Sequence, residues 1–293
     1  MKTYRFNYNI QLAHDLRDAV NERQNLSLEK EHTQKNNRSN VTYIAWDRIC
    51  TIMDRLEDTI DYVNGMELGN CRSHRAAFDF YEFINCSAII IDCIKTMGMI
   101  FNIDIRLIEE IEKSQEIFGT EYSITGTDQR FFEYIRSLCV VHPLFTNHQK
   151  EYLSESKFHC CPFVVWSDKY GHFNGCENSD LMAVVYTSQE GSHTIWLPLY
   201  LEQFDKYLGK WIDLIPRVIE AKDNYTDDVY EQFRNEPIKD LSDFDNDAVN
   251  YLIYLKEEYG KRFGDLQDSI FDEYIRIFRI RLSDKNNEYK LEK

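Results

Sequence analysis

Two side chains in the stretch 131–148 (FFEYIRSLCVVHPLFTNH) have types and spacing that suit acid–base chemistry on a phosphate. Arg136 is a permanent cation whose planar fork matches phosphate oxygens. His142 follows after five residues and can take and give a proton near neutral pH. Together they are a minimum set for cleaving an RNA phosphodiester without a metal or other cofactor. A base assists attack of the 2′-hydroxyl on the adjacent phosphorus, an acid assists departure of the 5′-oxygen, and the guanidinium stabilises the charge that builds up between them. Glu133, Ser137, Asn147 and His148 lie near enough in sequence to orient or assist the pair. Plainer roles exist for the same residues. Arg136 could pair with Glu133 three positions back on one helix face, and His142 could sit at a helix C-terminus favoured by the macrodipole.

The elements that must position this pair follow from local pattern. Thr127 and Asp128 suit the N-cap of a helix running through QRFFEYIRSLCVV, and Pro143 forces that helix to end close to His142. Six positions on a straight helix rotate by about 600°, which puts the two side chains on different faces. The break before Pro143 can turn His142 back toward Arg136 or leave both facing a partner helix. Upstream, the pattern predicts helices over 4–23, from Val41 to about Gly65, over 73–101 and over 104–117, with a polar loop at 24–40. The half of the third helix from Cys86 to Phe101 is apolar almost all round, as the central helix of a bundle would be. Downstream, PFVVWS (162–167), LMAVVYTS (181–188) and HTIWLPLY (193–200) read as about three short antiparallel strands. Helical pattern returns over 201–222, interrupted at Pro216, and again over 240–259 and 267–282. The expected fold is mainly α. It is a helical bundle over 1–150, a small antiparallel β-element over 151–200, and additional C-terminal helices over 201–293 that pack on the bundle.

The Arg-x5-His spacing inside a domain of long helices resembles the HEPN superfamily, whose signature is an Arg, four to six residues, then a His. The resemblance covers roughly residues 40–150. It implies an up-and-down helical bundle that homodimerises, so that Arg136 and His142 of two protomers form one composite endoribonuclease site. It also implies a role as a toxin or anti-phage defence effector of the toxin–antitoxin or abortive-infection kind, with RNA as substrate and a possible regulatory protein partner. The family often carries Asn, Asp or His directly after the Arg, where this chain has Ser137. A second class of function stays open beside it: a non-catalytic helical interaction subunit, such as an antitoxin, a sensor or a defence-system component.

The net charge of −16 over 293 residues excludes a protein that coats nucleic acid by neutralising its phosphates. It leaves room for one compact site with local positive charge. An aromatic fraction of 14% and a hydrophobic fraction of 43% exclude an acidic disordered chain. The N-terminus has no apolar signal-peptide core, and CSAIIIDCIKTMGMIF (86–101) is interrupted by Asp92 and Lys95, so no membrane span is expected. The cytoplasm is the expected compartment, and the eight cysteines need no disulfide framework there. His159, Cys160, Cys161, His172, Cys176 and His193 are ligand types that zinc accepts, but adjacent Cys160 and Cys161 point to opposite faces of an extended chain. Trp166 and Trp196 lie on the predicted strands and Trp211 on the following helix; aromatics on a small sheet could stack bases, although packing against helices suits a segment with few cations better. Arg276, Arg279 and Arg281 form a basic stripe near the C-terminus that suits RNA, an acidic partner or plain solvent. No P-loop, GxGxxG, HExxH or GxSxG motif occurs.

Overall fold

The computed structural model describes residues 3–22, 33–35, 42–69, 75–119, 126–147, 150–153, 156–167, 176, 178–188, 194–264 and 270–291. In chain order its elements are β1 (Tyr4–Arg5), α1 (Gln11–Val20), β2 (Thr33–Lys35), β3 (Thr42–Ile44), α2 (Trp46–Asn64), β4 (Glu67–Leu68) and α3 (Arg75–Ile100). Next come α4 (Ile105–Lys113), α5 (Asp128–Arg136), a π-helical turn (Ser137–Val141) and a 3-10 turn (Lys150–Tyr152). The strands β5 (His159–Trp166), β6 (Leu181–Thr187) and β7 (Thr194–Leu199) precede α6 (Leu201–Ile212) and α7 (Ile215–Asn235). A second 3-10 turn (Leu241–Phe244), α8 (Ala248–Phe263) and α9 (Ile270–Leu291) complete the chain. The fold is mainly helical with a small antiparallel three-stranded sheet, as the pattern predicts. It divides into two compact units, Met1–Arg17 with Asp47–Ala221, and Asp18–Trp46 with Lys222–Lys293.

The first unit is built around α3. Phe80, Phe83, Ile84, Ile90, Ile94 and Met97 are all buried, which is why this helix needs apolar residues on every side. By length and composition its stretch Ala77–Ile100 could cross a membrane, but most of it is buried inside the protein. In α2 the apolar stripe Ile49, Ile52, Met53, Leu56, Ile60 and Val63 turns inward. An aromatic cluster ties α5 and α6 to α3. Phe118 lies 4.8 Å from Phe131 and 5.0 Å from Phe204, whose ring meets Phe80 edge-on at 5.6 Å. The sheet has the order β5-β6-β7, both pairs antiparallel, with Ala183 between Val164 and Leu197. Leu181–Val185 of the central strand are buried on both faces. Asp180, the residue before β6, accepts the Leu201 amide at 2.9 Å through its carboxylate and so holds the start of α6. The break between α6 and α7 falls just before Pro216, which sits in the first turn of α7, where its missing N–H costs no hydrogen bond.

In the second unit β2 and β3 pair antiparallel, Gln34 opposite Tyr43. The sequence pattern places a loop up to residue 40 and a helix from Val41. Instead the β-branched and aromatic run Thr42–Ile44 is a strand, and α2 begins at Trp46. The hairpin of α8 and α9 is joined by an ion pair from Lys256 to Asp272 at 2.7 Å. Arg262 is buried, pairs with Glu258 at 3.0 Å, and donates to the carbonyls of Arg234 and Glu236 at 3.2 and 2.8 Å. Those two carbonyls lie at the C-terminal end of α7, so one guanidinium satisfies acceptors the helix itself leaves open.

The start of α5, on which the candidate chemistry depends, is fixed by a buried carboxylate. Asp128 accepts the amides of Ile117 and Phe118 at 3.2 and 2.9 Å, and its own amide donates to Ser114 at 2.7 Å. Thr127 caps the helix by accepting from the Arg130 amide. Replacing Asp128 with Ala leaves two buried amides without acceptors. A loss of about 3 kcal/mol is expected, read as a fall of roughly 6–10 °C in thermal midpoint by calorimetry.

Candidate functional site

Arg136 is the last residue of α5, and the helix does not stop after it but widens. Ser137–Val141 form a π turn, closed by the His142 amide donating to the Ser137 carbonyl at 2.8 Å. A turn closed five residues back winds less per residue than an α turn, so the six steps from Arg136 to His142 rotate by less than about 600°. His142 leaves the helix with φ −132° and ψ 52°, the conformational shift that a following proline requires. The backbone of the motif is thus a single widened turn. Arg136 stands at its entry and His142 at its exit, and residue 137 bonds to residue 142.

Downstream of His142 the chain is stapled to β5. Thr146 exchanges two backbone hydrogen bonds with His159, both at 2.9 Å, and the Cys161 amide donates to Pro143 at 2.7 Å. The Cys160 thiol donates to the Leu144 carbonyl at 2.8 Å. Within the segment, the Phe145 amide and the Thr146 hydroxyl both donate to the His142 carbonyl, at 3.1 and 2.8 Å. Residues 142–146 therefore form a tight turn laid along the first strand of the sheet.

His142 is exposed, whereas Arg136 is half-buried with its Nε enclosed and without a hydrogen-bond partner. No ion pair joins Arg136 to Glu133 among the described residues. Glu133 accepts instead from Gln129 Nε2 at 3.0 Å. Ser137 points its hydroxyl at Thr146 Oγ1 at 3.5 Å, Asn147 is half-buried beside Thr146, and His148 lies outside the described residues. The residues flanking His142 are apolar and exposed: Val141, Leu144 by 82%, and Phe145, which stacks on Phe158 at 4.7 Å; Phe163 of β5 is exposed as well.

Beneath the turn lies a buried polar layer. The Tyr134 hydroxyl and His159 Nδ1 are 2.8 Å apart, and Tyr152 stacks on Tyr134 at 4.8 Å. Burial holds His159 below the usual imidazole range, so the ring is neutral. Cys139 of the π turn is hydrogen-bonded to Cys161 of β5, and that contact together with burial pushes its thiol well up. These roles differ from metal ligation. Cys176 directs its thiol to the Trp196 carbonyl, and His172 and His193 lie outside the described residues. Among the described residues no three His, Cys, Asp or Glu side chains gather as a metal site needs. Trp166 and Trp211 are buried in the core, and Arg276 is paired with Glu273 at 2.7 Å. Sequence reasoning missed Thr146 and the pairing of Tyr134 with His159, which it names only as a metal-ligand type. Thr146 gives no signal in the sequence, since its backbone partner His159 lies 13 positions away on β5.

No family model matches the sequence, and no significant match occurs among curated proteins or solved structures.

A neutral buried His159 gives stability a definite pH dependence. The unfolded chain takes up a proton at this residue near pH 6.5, whereas the folded chain resists it. Stability contributed at neutral pH therefore falls as pH drops below about 6.5, and levels off below the folded-state value. In His159→Gln that component is absent. The thermal midpoint of the variant should decline less than that of the wild type between pH 7.5 and 5, as followed by circular dichroism.

Proposed function

We propose that this chain is a HEPN-like, metal-independent endoribonuclease, acting as a toxin or anti-phage defence effector. The observation that carries the reading is the state of the motif pair. Arg136 joins no ion pair among the described residues, and His142 is exposed on a turn fixed by hydrogen bonds. In a purely structural role Arg136 would be neutralised by Glu133 and His142 packed away. The chemistry is transesterification. The 2′-hydroxyl loses its proton to an imidazole and its oxygen bonds to the neighbouring phosphorus. The bond from phosphorus to the 5′-oxygen breaks, and that oxygen takes a proton from an acid. Arg136 offsets the charge on the phosphoryl oxygens. A base and an acid are needed in the same step, and each chain brings one His142. Two copies of the chain complete the site, and the exposed apolar surface of Val141, Leu144, Phe145 and Phe163 suits that association. The chain's −16 charge repels free RNA at long range, so substrate capture depends on local contacts.

A second reading, a non-catalytic interaction subunit, is favoured by a different observation. Helix α9 leaves Ile270, Tyr274, Phe278 and Leu282 exposed at four-residue steps, which is the stripe a partner helix would cover.

The first reading is tested with purified protein and a labelled single-stranded RNA. Cleavage should persist in EDTA and yield a 2′,3′-cyclic phosphate and a 5′-hydroxyl, and 2′-O-methyl RNA should resist. Arg136→Ala and His142→Ala should each slow cleavage by roughly 100-fold or more while melting like the wild type. Equal cleavage by both variants would overturn the reading in favour of the second.

A further inference from the structure

We propose that Thr146 is a positioning residue for His142, a role that rests on the ribonuclease reading of the same turn. Its side chain is fully buried, yet it carries the polar link between the two ends of the motif. Thr146 Oγ1 donates to the His142 carbonyl at 2.8 Å and is approached by the Ser137 hydroxyl at 3.5 Å. The His142 amide in turn donates to the Ser137 carbonyl at 2.8 Å. Ser137, Thr146 and His142 thus close a ring of hydrogen bonds, and Ser137 is the residue next to Arg136. The ring is anchored outside the turn. Both backbone groups of Thr146 are held by His159 of β5 at 2.9 Å, so the hydroxyl reaches the motif from a fixed point on the sheet.

This arrangement answers a mechanical problem. His142 lies at the exit of a widened turn, and the amide four residues on, that of Thr146, is turned to the His159 carbonyl at 2.9 Å, so no α-helical hydrogen bond holds the His142 carbonyl. The Phe145 amide supplies one bond at 3.1 Å from within the same exposed turn. Thr146 ties the carbonyl to the sheet. With the backbone of His142 held at both its amide and its carbonyl, the point from which the exposed imidazole projects is set. An error of about 1 Å in such a placement costs up to a hundredfold in rate.

The substitution Thr146→Val keeps the branched shape and the backbone pairing and removes only the hydroxyl. Thr146→Ser keeps the hydroxyl, and Thr146→Ala removes it without adding a methyl group. For the full-length protein, Thr146→Val and Thr146→Ala should lower kcat for a single-stranded RNA roughly tenfold with KM unchanged, and Thr146→Ser should restore it. Hydrogen exchange at the His142 amide, followed by NMR, should quicken about tenfold in the first two variants and not in the third. Exchange and kcat both at wild-type values in Thr146→Val and Thr146→Ala would overturn the positioning role, with the ribonuclease reading still judged on Arg136→Ala and His142→Ala. A wild-type protein that cuts no RNA would sink the ribonuclease reading. Unchanged exchange in the variants would then overturn the mechanical link as well, and faster exchange would support it.

Discussion

The backbone exchange between Thr146 and His159 is the contact on which the candidate site depends. It is a single bridge of two hydrogen bonds, yet it converts the tail of a helix into a member of the sheet. Beside it the Pro143 carbonyl accepts the Cys161 amide at 2.7 Å and the Leu144 carbonyl accepts the Cys160 thiol at 2.8 Å, so the exposed turn that carries His142 is held along the strand. With it, α5, the π turn and β5 form one continuous support. The buried Tyr134 and His159 pair lies on the inner side of that support, and the exposed apolar residues lie on its outer side.

Much of the scaffold is legible in the sequence because its signals are local. The stripe of Ile49, Met53, Leu56, Ile60 and Val63 declares the inner face of α2, and the continuous apolar run of α3 declares a helix enclosed on all sides. Thr127 and Pro143 bracket the helical segment of the motif from both ends. The hairpin of β2 and β3 escapes notice because its first strand, Thr33–Lys35, is polar and its second is only three residues long. Such short pairs owe their form to one another, and no periodicity develops within either.

The site itself is legible only in part. Arg136 and His142 stand out by type and spacing, and the proline announces that the helix must end. The π turn is not readable, because SLCVV carries no residue that distinguishes a wide turn from an ordinary one. Nor is the role of Thr146, whose partners are assembled by the meeting of a loop with a strand 13 residues further on. His159 and Cys161 attract attention as metal-ligand types. Their surroundings make the first a neutral partner of a tyrosine and the second a free thiol hydrogen-bonded to Cys139. Residue type suggests a range of chemistries, and the neighbours supplied by tertiary packing select among them.

The widened turn bears on how sequence motifs of this sort should be written. A π turn is what a helix becomes when one residue is added between two fixed anchor points. Here the anchors are the end of α5 and the strand to which Thr146 is stapled. A chain with one residue fewer between the Arg and the His could span the same gap with ordinary α winding. The count of intervening residues is then a matter of how tightly the backbone is wound, and what selection would preserve is the pair of end points. In a protein built this way, removing one residue inside the turn would change its pitch and leave the two anchors where they are.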